Sequence, residues 1–153
     1  GVIDLPRLRS LRVVSFDKAQ LVDLARAKVP ALESLAIVAV FWHELADLAL
    51  ANLPSFRTLA LTRPPWEPWF SQSEPYDESY CQRELRALVE SPLAKLAKEI
   101  ELHGQLTTQM LGAIVVYASW LERFERVRFV RPKNSNIENE LITRLGPRLG
   151  WIL

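Results

Sequence analysis

The chain has 153 residues, of which 49% are hydrophobic and 24% charged, a balance that excludes a disordered segment and suits one ordinary domain. A formal net charge of +1 gives no basis for a nucleic acid or an anionic membrane as the partner. The lone Cys81 cannot form an internal disulfide, and the longest apolar stretch, Met110 to Leu121, falls well short of the roughly 20 residues of a bilayer-spanning helix.

No secretory signal opens the chain, which starts at Gly1 and runs straight into a patterned segment. Residues 1–153 read as a single domain, a fragment of a longer chain, and the thiol count points to the cytoplasm. Three segments then align without gaps, starting 24 residues apart at Leu5, Val29 and Leu53. They are Leu5-Pro6-Arg7-Leu8-Arg9-Ser10-Leu11-Arg12-Val13, Val29-Pro30-Ala31-Leu32-Glu33-Ser34-Leu35-Ala36-Ile37 and Leu53-Pro54-Ser55-Phe56-Arg57-Thr58-Leu59-Ala60-Leu61. Between them Leu21, Asp23, Leu24 and Ala25 return as Leu45, Asp47, Leu48 and Ala49.

Within each unit the periodicity changes. Leu35-x-Ile37 and its equivalents alternate with period two, as a short strand does, and the leucines that follow lie at helical spacing. Each unit therefore predicts a strand, a turn and a helix of two to three turns. Pro6, Pro30 and Pro54 fall where a helix has ended. One such unit cannot bury its own apolar side, so units must stack.

The segment 63–80 interrupts the pattern with four prolines and five aromatics, among them Trp66, Trp69 and Phe70. Beyond it, Ile100-x-Leu102 and Val127-x-Phe129 predict two further strands, with helices over Leu106 to Leu121 and about Ile137 to Leu145. Gly146, Pro147 and Gly150 close the last helix, and Trp151-Ile152-Leu153 starts another strand or caps the open end.

The L-x-x-L-x-L pattern on a 24-residue period, with a helix in each unit, resembles the leucine-rich repeats of the ribonuclease-inhibitor-like class. Similar irregular repeats occur in F-box substrate receptors and in many bacterial repeat proteins. The resemblance implies an α/β solenoid of about five repeats, a curved parallel β-sheet with helices on the convex side. In one respect the chain departs from it. The family's asparagine, three residues after the third leucine, is replaced by Phe16, Val40, Pro64, Gln105 and Pro132.

In a parallel sheet the leucines of L-x-L enter the core and the intervening residues face outward. The outward columns are then Ser10, Ser34, Thr58, Glu99 and Arg126; Arg12, Ala36, Ala60, Glu101 and Arg128; and Val14, Val38, Thr62, His103 and Val130. The first three units thus present small, largely uncharged residues. We expect a protein partner to bind at Ala36, Val38, Ala60 and Thr62, helped by Trp66 and Trp69 as aromatic anchors. The plainer alternatives are that small residues suit a tightly curved sheet and that the tryptophans seal its edge. Adjacent strands would also pair Glu99 with Arg126 and Glu101 with Arg128.

Residues with catalytic chemistry are sparse. His43 and His103 stand apart from any paired His, Cys or acidic spacing, so neither metal nor cofactor is expected. Cys81, at a helix start beside Arg83, reads as a buried or free thiol. The five glycines form no phosphate loop. Arg123, Arg126, Arg128, Arg131 and Lys133 alternate with Glu122 and Glu125, which reads as a solvated face rather than a nucleic-acid site. The expectation is a protein-interaction module and not an enzyme, with no nucleic acid or membrane as partner. The alternatives are the recognition part of a ubiquitin-ligase adaptor or an enzyme regulator.

Overall fold

The computed structural model describes residues 4–14, 26–38, 42–48, 53–62, 78–104 and 106–152. Their frame is a six-stranded, wholly parallel sheet: β1 (Ser10–Val14), β2 (Ser34–Val38), β3 (Thr58–Thr62), β4 (Glu99–His103), β5 (Arg126–Val130) and β6 (Leu149–Ile152). The strands lie side by side in chain order. Leu11, Leu35, Leu59, Ile100, Val127 and Leu149 stand opposite one another along one core column. Val13, Ile37, Leu61, Leu102, Phe129 and Trp151 form the next. The register passes unchanged across the longer step between β3 and β4, so the additional residues there do not disturb strand pairing.

Alternation explains why one face of the sheet is core. Leu35, Ile37, Leu59, Leu61, Val127 and Phe129 are fully buried, while the residues between them are largely half-buried or exposed. Strands β1, β2 and β3 are also entered in the same manner. Leu8 N–H bonds to Leu5 O, Leu32 N–H to Val29 O, and Phe56 N–H to Leu53 O. These are four-residue turns, and Pro6, Pro30 and Pro54 occupy the second position, where a fixed φ is favourable. The prolines thus shape the entry to the strand. The carbonyl before each of these strands then accepts two N–H groups of the next unit: Arg9 O from Glu33 and Ser34, Glu33 O from Arg57 and Thr58, Arg57 O from Lys98 and Glu99.

The segment after β2 differs from expectation. Trp42–Asp47 is a single 3-10 helix, not a helix of two to three α turns. Trp42, Leu45 and Leu48 recur every third residue and are all buried, and a period of three is the one that aligns side chains on a 3-10 face. The predicted helix at Leu21, Leu24 and Ala25 lies outside the described residues, as do Phe16, Val40, Pro64, Gln105, Trp66 and Trp69.

Helix α1 (Glu78–Glu90) buries Cys81, Leu85, Leu88 and Val89 on one side and exposes Arg83, Arg86 and Glu90 on the other. Ser91 ends it and starts α2 (Pro92–Leu96): its hydroxyl donates to Leu88 O at 2.7 Å and accepts from Ala94 N–H at 3.3 Å. Pro92 follows at the first helical position, where its missing N–H costs nothing. Ser91 is itself buried. Ser91→Ala should lower stability by about 1 kcal/mol, through the lost cap. Thermal melting checks this, and an unchanged melting temperature would show that the hydroxyl does not hold the junction.

The apolar run Met110 to Leu121 is divided. Helix α3 (Thr108–Val116), capped by the Thr107 hydroxyl on Met110 N–H, stops at Tyr117, and Ala118–Leu121 continues as a 3-10 turn. Tyr117 stacks on Trp120 with centroids 4.3 Å apart. Helix α4 (Ser135–Leu145) is capped by Asn134 and ends at Gly146, whose φ of 59° suits glycine. Helices α1, α3 and α4 pack in succession, and their buried residues join the strand columns in one apolar cluster. None of the described helices is long and apolar enough to cross a membrane.

Candidate functional site

Two of the three outward columns expected from the sequence are observed in full, and the third in part. Ser10, Ser34, Thr58, Glu99 and Arg126 align, as do Arg12, Ala36, Ala60, Glu101, Arg128 and Gly150. Val14, Val38, Thr62 and His103 form the third. Ala36, Ala60 and Thr62 are partly exposed. Val38 is not: only 7% of it reaches solvent, so it belongs to the packed interior more than to an outward patch. It is the middle of three strands, flanked by Val14 and Thr62, whereas Val14 on the edge strand is 45% exposed. The neutral part of the face is therefore Ser34, Ala36, Thr58, Ala60 and Thr62, with the Ser34 hydroxyl donating to Ser10 Oγ at 3.0 Å.

The charged part departs from the expected pairing. Glu99 faces Arg126 and Glu101 faces Arg128 along the backbone. The side chains, however, engage other groups. Arg57, at the entry to β3, donates to Glu125 Oε2 at 2.8 Å and reaches Glu99 Oε1 at 3.4 Å. Thr58 Oγ1 donates to Glu99 Oε2 at 3.0 Å. Glu99 is thus drawn toward β3. The hydrogen bond to Glu125, then the charge of Glu99, holds the Arg57 pKa above its ordinary value. Glu101 turns along its own strand instead, and its Oε1 lies 2.9 Å from His103 Nε2. Residues two apart on one strand share a face, which makes this pairing available.

Arg57 was not among the residues singled out in the sequence. The signal was present: Arg9, Glu33, Arg57, Lys98 and Glu125 occupy equivalent positions just before their strands, and the carbonyls of the first four accept from the next unit.

The arginine-rich segment does not act as one face. Arg123 is exposed yet held, donating to the Val89 carbonyl and lying 4.8 Å from the Phe124 ring, and partial burial lowers its pKa against the opposing charge of Glu90. Arg131 pairs with Glu138 at 3.1 Å and covers the Trp151 ring. Arg126 and Arg128 remain on the outward sheet face. Beside Arg131 and Lys133 lies a cavity of about 300 Å³, between the end of β5 and the first turns of α3 and α4. Both helix starts there are already capped, by Thr107 and Asn134.

The remaining chemistry-bearing residues have structural partners. His43, expected to stand alone, lies 2.7 Å through Nδ1 from Oε1 of Glu84, a buried carboxylate on α1 that also accepts the His43 backbone N–H at 3.1 Å. Cys81 is fully buried in the first turn of α1. Among the described residues, no group of three His, Cys, Asp or Glu side chains could hold a metal ion. No protein-family model, curated protein or solved structure matches the chain.

Proposed function

We propose that this chain is an irregular leucine-rich-repeat solenoid acting as a cytoplasmic protein-interaction module, and that it binds its partner through the outward face of the sheet. The repeat reading is supported by the 24-residue alignment, by register that carries each repeated leucine onto its equivalent, and by the recurring turn and carbonyl pattern before the strands. The observation that carries the binding reading is the neutral tract Ser34, Ala36, Thr58, Ala60 and Thr62. It is a run of small side chains on regular strands, with charge confined to β1 and to β4 onward. Short side chains let a partner approach the strands closely, and rigid elements hold the contact surface without ordering cost. Trp66 and Trp69 remain candidate anchors from outside the described residues.

The test is affinity capture with the intact chain, run in parallel with Ala60→Arg. Ala60 stands between Ala36 and Glu101, so a new guanidinium has a carboxylate beside it and the fold should tolerate the change. A protein captured by the parent and lost by more than about tenfold with Ala60→Arg is the expected result, equivalent to about 1.4 kcal/mol. Undiminished capture by a variant that melts normally would sink the assignment of this face. Ubiquitin-ligase subunits among the captured proteins would mark the adaptor form of the same reading.

A further inference from the structure

Three arginines gather at the β5–β6 end of the sheet. Arg126 is exposed and Arg128 half-buried, on the same side of β5, about 6.6 Å apart along the strand. Arg148 is half-buried and ends the 3-10 turn Gly146–Arg148 that leads into Leu149, the residue opposite Val127, so it lies at the same end of the sheet as Arg126. Among the described residues none of the three makes an ion pair. The nearest acids turn elsewhere: Glu99 and Glu125 share Arg57, and Glu101 lies against His103. Glu125 adjoins Arg126 in sequence, yet it points to a cation two strands away.

Arg128 is also positioned. Gly150 is its neighbour on β6, and a Cβ at that glycine would stand 3.2 Å from Arg128 Cγ. The stem of the arginine thus lies over the gap that the missing side chain leaves. A guanidinium with a supported stem loses less freedom when it binds. The fork geometry of guanidinium groups matches carboxylates in pairs.

We propose that the β5–β6 end of the outward face is a docking site for an acidic peptide segment of a partner protein, whose Asp or Glu carboxylates are held by Arg126, Arg128 and Arg148. The inference rests on the reading of this face as the binding surface and names the chemistry of one part of the partner. A protein segment fits better than a nucleic acid. The three cations border Glu99, Glu101 and Glu125, which repel a continuous phosphate backbone but leave room for a short run of carboxylates.

The test uses the whole chain and a fluorescein-labelled peptide, Gly-Ser-Asp-Glu-Asp-Glu-Ser-Gly, against its Asn/Gln counterpart and a labelled single-stranded RNA of mixed sequence. Fluorescence anisotropy should show binding of the acidic peptide, weakened by added salt, and none of the amide peptide. The pair Arg126→Gln/Arg128→Gln should weaken it by more than about tenfold, and Arg144→Gln, on the exposed side of α4, should leave it unchanged. Gly150→Ala, which displaces the Arg128 stem, should weaken it severalfold with the circular dichroism preserved. No binding of the acidic peptide, binding indifferent to the arginine pair, or tighter binding of the RNA would each overturn the proposal. The two readings fail separately. Capture that survives Ala60→Arg contradicts the face assignment, whereas capture lost with Ala60→Arg but indifferent to the arginine pair removes only the acidic-peptide site.

Discussion

Phe129→Ala should destabilise the chain by about 3–5 kcal/mol, the largest loss expected of any single substitution considered. Phe129 is fully buried, stands between Leu102 and Trp151 in the second core column, and belongs to the same cluster as Leu141 and Leu145 of α4. Truncation removes the transfer energy of the ring and leaves a cavity at the meeting of sheet and helix. Domains of this size are stable by about 5–15 kcal/mol, so much of the folded state's margin is at risk. Arg126→Ala, on the opposite face of the same strand, should change stability by less than about 0.5 kcal/mol. Urea denaturation of the pair gives the comparison directly. Equal losses would mean that the faces of β5 are wrongly assigned.

Leu35→Ala carries the second-largest effect, about 2–5 kcal/mol, against less than about 0.5 kcal/mol for Ala36→Ser. Leu35 is fully buried between Leu11 and Leu59, and its neighbour Ala36 is on the outward face. This pair probes the regular part of the sheet as Phe129 probes the part beyond the interruption. A loss at Leu35 without one at Phe129 would mean that the last units pack loosely. Losses at both are expected, because the two core columns run unbroken from β1 to β6.

The strands were legible in the sequence because their signal is local and repeated. Leu35-x-Ile37 alternates within itself, and alignment over 24 residues already names Leu11 and Leu59 as its neighbours. The outward columns followed from the same alternation. What tertiary packing decides was not legible in this way. Val38 has the alternation of an outward residue and is buried, because alternation gives direction but not what lies above. Trp42, Leu45 and Leu48 read equally well as part of an α-helical pattern, and the choice of a 3-10 turn belongs to the short connection they occupy. Backbone register correctly set Glu99 opposite Arg126, but the carboxylate went to Arg57 and Thr58, which reach it from β3. Side-chain pairing on a sheet is a competition among neighbours at similar distances, and sequence alone does not rank them. The same competition split the arginine-rich segment into Arg123, held by the Val89 carbonyl, Arg131, paired with Glu138, and Arg126 and Arg128 on the outward face.

In the proposed reading, one sheet face builds the core while the other binds a protein. Its most direct test is NMR titration of the labelled chain with the captured partner. The amides of Ala36, Thr58, Ala60 and Thr62 should shift or broaden, continuing to Arg126 and Arg128, while the exposed residues Arg83, Arg86 and Glu90 of α1 stay in place. Perturbation centred on α1, with the outward columns unmoved, would contradict it.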